Sequence, residues 1–199
     1  MDSPNRSRLA RRLGLACVLC GAFALFAQCR SSPEEHADSN GVHAAWGLVY
    51  EVLQHPRCLN CHPAGEVPLQ GDDSRPHGQN VQRGPEGQGL FAMRCVTCHS
   101  TQNGPDAHAP PGAPRWHLPH PRMPLVFEGL TSGDLCRQLK DPSRNGGRKM
   151  ADLLHHVAED ELVLWGWDPG VGRTPVPVSH EAFVAAFKTW LDSGCQCPE

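Results

Sequence analysis

Two pentapeptides of one form, Cys58-Leu59-Asn60-Cys61-His62 and Cys95-Val96-Thr97-Cys98-His99, constrain this 199-residue chain more than anything else in it. Two cysteines separated by two residues and followed at once by histidine form the attachment pattern for c-type haem. The thiols reach the vinyl edge of one porphyrin, and the adjacent imidazole binds the iron from the proximal side. The competing reading is a structural zinc shared by the two C-x-x-C pairs. Against it, 33 residues separate Cys61 from Cys95, more than a zinc-ribbon loop spans, and histidine follows both pairs although only 12 of 199 residues are histidine. The motifs predict two covalently attached haem c groups, held by Cys58, Cys61, Cys95 and Cys98, with His62 and His99 as proximal ligands.

Such groups would resolve an oddity of composition. The chain carries 20 Gly and 19 Pro with only 6% aromatic residues, a lean supply for a self-sufficient apolar core. A porphyrin contributes a large apolar surface around which loops can collapse. The expected fold is therefore mainly α and loop-rich, with two c-type haem modules packed as one compact unit and a poorly folded apoprotein. A formal net charge of -3 supplies no basic face, so nucleic acid is not an expected partner.

Arg6, Arg8, Arg11 and Arg12 precede an apolar run from Leu13 to Ala27, the charged and hydrophobic regions of a secretory signal. The run is shorter than the roughly 20 residues that cross a bilayer as a helix. Residues 1–28 are read as a signal peptide and 29–41 as a flexible tether, leaving 42–199 as the dihaem domain. Leu25-Phe26-Ala27-Gln28-Cys29 approximates a lipoprotein processing site, so Cys29 is a candidate lipid anchor. The expected location is periplasmic or exported.

Helix is predicted from near Asn40, with Val42, Trp46, Val49 and Leu53 on one stripe, until Pro56. A short helix is expected over Pro85 to Arg94, leading into Cys95. Ala109 to Leu125, rich in proline, reads as an extended connection. Thr131 is predicted to cap a short helix carrying Leu135, Cys136 and Leu139. Another begins near Lys149, and Ser179 caps a last one bearing Phe183, Phe187, Trp190 and Leu191 and stopping at Gly194. Oxidation would join Cys136 to Cys197 or Cys195, with Cys197 preferred.

The sixth iron ligands carry weaker signals. His77, in a loop shaped by Pro76, is the leading candidate for the first haem. Met123, flanked by Pro121 and Pro124, leads for the second, since a thioether suits ferrous iron and raises its potential. His117 and His120 compete with Met123, and His155 or His156 could reach either haem. Met93 and Met150 read as packing residues, as do Trp165 and Trp167.

Taken together, Pro56-Arg57-Cys58-Leu59-Asn60-Cys61-His62-Pro63, Arg83-Gly84, Cys95-Val96-Thr97-Cys98-His99, Pro111-Gly112-Ala113-Pro114 and Trp165-Gly166-Trp167 resemble exported bacterial dihaem cytochromes c. The resemblance runs from about Trp46 to Pro198. It is also similar to small cytochromes found beside isoquinoline 1-oxidoreductase-type molybdenum hydroxylases. The resemblance implies an electron carrier that takes electrons from a periplasmic dehydrogenase, here a molybdenum-containing one, and passes them toward a terminal acceptor. Two other functions compete: a dihaem peroxidase-type enzyme, which needs an iron position that opens, and a zinc-stabilised exported binding module.

Overall fold

The computed structural model describes residues 39–199. The expected signal peptide 1–28, Cys29 and nearly all of the expected tether 29–41 lie outside the described residues. Among those described, helices and loops dominate, and the strands come as two-residue pairs.

Helix α1, Ser39–Gln54, forms where the apolar stripe predicts it, and Val42, Trp46, Val49 and Leu53 are all buried. Val52 joins them. Pro56 cannot continue α1, but its fixed φ suits the first position of a new turn. The short helix α2, Pro56–Leu59, starts there, capped by the ring of His55, which accepts from the Arg57 amide at 3.2 Å. A proline thus ends one helix and opens the turn that carries Cys58.

Helix α3, Ser132–Lys140, is capped by Thr131, and α4 covers Met150–Glu159. Helix α5, Glu161–Leu164, runs into a 3-10 turn at Trp165–Trp167, and α6, His180–Asp192, is capped by Ser179. Helices α1 and α6 pack together through Trp46 and Trp190, whose ring centroids are 4.8 Å apart. Each indole N–H finds a partner, Ser132 Oγ at 2.8 Å and the Gln196 carbonyl at 2.9 Å, so burying both rings leaves no donor unpaired. Phe183 and Phe187 extend the same core from α6, and Leu135, Leu139, Leu153 and Val157 enter it from α3 and α4. Cys136 pairs with Cys197 rather than Cys195. Closing a sequence separation of 61 residues removes unfolded-state freedom worth roughly 4 kcal/mol.

The segment expected as a helix over Pro85 to Arg94 is a hairpin instead. Strands Gly89–Leu90 and Met93–Arg94 pair antiparallel, Gly89 opposite Arg94. Gly84, Gly87 and Gly89 all have positive φ, a conformation that no helix residue adopts. A Cβ on Gly84 would lie 2.2 Å from the Gly89 carbonyl oxygen, so the loop closes only because side chains are missing. A second hairpin, Leu69–Gln70 with Arg75–Pro76, precedes it. Residues 109–125 contain no helix or strand, as their prolines dictate. The buried Arg83 ties these loops together, donating to the carbonyls of Pro119 at 2.8 Å and Gly65 at 2.9 Å.

Candidate functional site

The first motif begins inside α2, and its backbone keeps turning past the helix end. The Cys61 amide donates to the Cys58 carbonyl at 3.1 Å and the His62 amide to the Leu59 carbonyl at 2.9 Å. Residues three apart on such a turn share a face, and Cys58, Cys61 and His62 all line one cavity of about 360 Å³. That volume falls in the range of sites for cofactor-sized ligands. Leu53, Leu125, Phe127, Leu153, Phe183 and Phe187 bring the apolar core directly into its wall.

His62 is fixed twice. Its Nδ1 lies 2.7 Å from the Leu125 carbonyl oxygen; a carbonyl only accepts, so Nδ1 carries the proton and Nε2 the lone pair. Its ring stacks on Phe127 with centroids 3.8 Å apart and planes 11° from parallel. Burial in this apolar wall lowers its pKa to about 3, outweighing the stabilising carbonyl contact, so the imidazole stays neutral and available as a ligand. Desolvation also pushes the Cys58 thiol up to about 12 and Cys61 up to about 11. A redox-active C-x-x-C pair needs the opposite shift, toward thiolate at neutral pH.

The second motif repeats the arrangement with different parts. Cys95–Thr97 forms a 3-10 turn, and the His99 amide donates to the Cys95 carbonyl at 2.9 Å. His99 Nδ1 donates to the Pro111 carbonyl at 2.8 Å, leaving Nε2 as the lone-pair nitrogen. Its ring stacks on Trp116 at 4.3 Å, with planes 7° apart. Burial lowers the pKa of His99 as well. Both anchoring carbonyls and both stacking rings come from the proline-rich connection and the residues just after it. That stretch acts as a shelf holding two imidazoles in one tautomer.

His77 and Met123 occur at these sites, but the pairing is exchanged relative to the sequence expectation. Met123 lines the cavity of His62. His77 lies beside His99, with ring centroids 6.3 Å apart and planes at 62°. Two metal–imidazole bonds of about 2 Å, plus the reach from each nitrogen to its ring centre, span roughly 6 Å. The two imidazoles are therefore close enough that both could serve one metal ion. His77 Nδ1 lies 2.9 Å from the Gly78 carbonyl oxygen and donates to it, which again leaves Nε2 for a ligand. The Leu69–Gln70 hairpin sets where His77 stands: it turns the chain back so that the His77 amide bonds the Pro68 carbonyl at 2.8 Å.

His117, His120 and His156 also line the first cavity. His120 is engaged at both nitrogens, by the Arg122 amide at 3.1 Å and by Glu86 at 3.6 Å. His155 does not line it and faces Glu159 at 3.4 Å. Trp167 lines the cavity, whereas Trp165 packs against Trp116. Met93, read as a packing residue, is exposed on the hairpin beside Cys95. Sequence reading missed Phe127, Trp116 and the carbonyls of Leu125 and Pro111. The aromatics two residues after Pro114 and three after Pro124 were the available signal; a backbone carbonyl leaves none.

Among the described residues, no three His, Cys, Asp or Glu side chains are grouped to hold a metal ion by themselves. An iron carried by a porphyrin needs only one or two protein ligands, and each motif supplies one imidazole beside two thiols. The residues present fit that group. No family model, curated protein or solved structure matches the chain.

Proposed function

We propose that the chain is an exported electron-transfer protein carrying two covalent haem c groups. Cys58 and Cys61 hold one group, and Cys95 and Cys98 hold the other. The observation that carries this reading is the repeated state of His62 and His99: each has Nδ1 donating to a carbonyl and its ring stacked on an aromatic. That leaves the Nε2 lone pair free to hold an iron and prevents the ring from turning away. When bound, each group supplies an iron that takes up and returns one electron.

The chain's own residues do the rest. The apolar wall of the first cavity excludes water and so limits reorganisation on electron transfer. Met123 is the leading sixth ligand there, and His77 is the leading sixth ligand opposite His99. With Met123 and His77 serving as second ligands, neither group would keep an open position, which would favour electron transfer over peroxidase chemistry. The donor is a redox protein, with a molybdenum-containing dehydrogenase as the leading class, and the location is periplasmic or exported, with Cys29 as a candidate membrane tether.

Haem counting on protein matured by an intact c-type assembly system tests the reading. Two covalent haems per chain after denaturation, and two low-spin signals in electron paramagnetic resonance, are expected. One haem, or a zinc ion in their place, would overturn it.

A further inference from the structure

Arg57 stands one residue before Cys58 and is only 7% exposed. A guanidinium does not lose its charge in proteins. Its burial therefore places a permanent cation in the wall of the first cavity, which it lines beside Cys58 and Cys61. Three contacts hold it there. Nε donates to the Thr174 carbonyl at 3.0 Å, Nη2 pairs with the Asp72 carboxylate, and the guanidinium carbon sits 5.7 Å from the centre of the Trp165 ring. Thr174 in turn holds Asp72, its hydroxyl donating to Oδ2 at 2.6 Å and its amide at 3.2 Å.

The two charges of this pair are not equally placed. The Asp72 side chain is 48% exposed and that of Arg57 only 3%, so water screens the anion far more than the cation. This pair therefore adds a positive contribution to a cavity that Arg148, Glu86 and Asp160 also line. It acts on both attachment thiols, whose ionised forms Arg57 favours. Toward the second site, Arg57 connects through rings, since Trp165 meets Trp116 edge-on at 5.0 Å and Trp116 stacks on His99 at 4.3 Å, and through the charge of Arg173, which acts on both Arg57 and His99.

Resting on the haem reading above, we propose that Arg57, with Asp72 as its counter-ion, sets the reduction potential of the first centre. A fixed cation beside the iron opposes the gain of positive charge on oxidation, so it stabilises the ferrous state and raises the potential. Asp72 offsets part of that effect. The step itself moves one electron between the iron and its redox partner, and no bond forms or breaks. Arg57 acts through the field and through the alignment of α2, which makes it a positioning residue.

The test is a spectroelectrochemical titration of matured full-length protein, both as wild type and with Cys95→Ser and Cys98→Ser to leave the first centre alone. Arg57→Gln should lower the midpoint of the first centre, changing its ferric-to-ferrous ratio at a fixed potential by about tenfold, equivalent to 59 mV for one electron. Arg57→Lys should keep most of the wild-type value. Asp72→Asn, a near-isosteric change at a half-exposed position, should shift the first centre upward. The second centre should move less in every variant. Shifts of the same sign for Arg57→Gln and Asp72→Asn, no shift in Asp72→Asn, or equal shifts at both centres would overturn the proposal while two intact haems leave the electron-transfer reading standing. Wild-type protein without haem would overturn that reading first.

Discussion

The two motif sites use the same local chemistry in opposite surroundings. At the first, Phe183, Phe187, Leu53 and Leu153 make the cavity wall part of the α1–α6 core. At the second, Cys98 is exposed, Val96 is 63% exposed, and the adjoining hairpin presents Phe91 to solvent. The difference follows from chain order. The first motif is fed by a long amphipathic helix that must bury its stripe, whereas the second is fed by a hairpin of two-residue strands that buries a glycine but no large side chain. A site built from core residues couples its cofactor to folding, and a site built on loops couples it to the surface. On the proposed haem reading, the first would suit a protected potential and the second electron exchange with a partner.

Removing the attachment cysteines should break this comparison most visibly. Cys58→Ser with Cys61→Ser should abolish the cooperative thermal transition, because the cavity wall loses its filling and the core with it. Cys95→Ser with Cys98→Ser should keep a cooperative transition at a modestly lower Tm. Circular dichroism on both, with pyridine haemochrome counts of one haem each, checks it; equal damage would dissolve the distinction. The stacking rings sharpen the contrast on a smaller scale. Phe127→Ala should cost about 3–5 kcal/mol in denaturant titrations, since Phe127 is 4% exposed and leaves a cavity. Trp116→Ala, half-buried, should cost about 1 kcal/mol, mainly lost stacking on His99.

Ligand exchange separates the sites spectroscopically. His77→Ala should convert only the second centre to high spin, and Met123→Ala only the first, read by electron paramagnetic resonance. The reverse pattern would restore the pairing expected from sequence spacing. The smallest effect concerns pH. Burial, reinforced by Arg148, lowers the pKa of His156 in the first cavity's wall, outweighing the opposing pull of Asp160. The native state thus resists a proton that the unfolded chain accepts near pH 6.5, and stability should fall as pH drops through that value. Its contribution is at most about 1.4 kcal/mol per pH unit. His156→Gln should flatten the slope between pH 7 and 5 in denaturant titrations.

What the amino-acid sequence determined by itself was short-range. Thr131 and Ser179 cap their helices because a side-chain oxygen three residues from an unpaired amide needs only local geometry. Trp46, Val49, Phe183 and Trp190 are legible as core because helical periodicity places them on one face. The motifs put two thiols and an imidazole on one turn for the same reason. The tertiary structure decided everything that depends on distant chain returning to a place. The hairpin at Leu69–Gln70 brings His77 to His99, the prolines of 109–125 deliver the Leu125 and Pro111 carbonyls to the two imidazoles, and Thr174 and Asp72 close on Arg57 from 117 residues and 15 residues away. Even the hairpin before Cys95 belongs here, since the glycines at 84, 87 and 89 permit positive φ but only the close approach of the Leu118 carbonyl to Gly87 requires it. Spacing along a chain bounds how far a residue can reach; which of many reachable partners it meets is set by the packing of the helices that carry them.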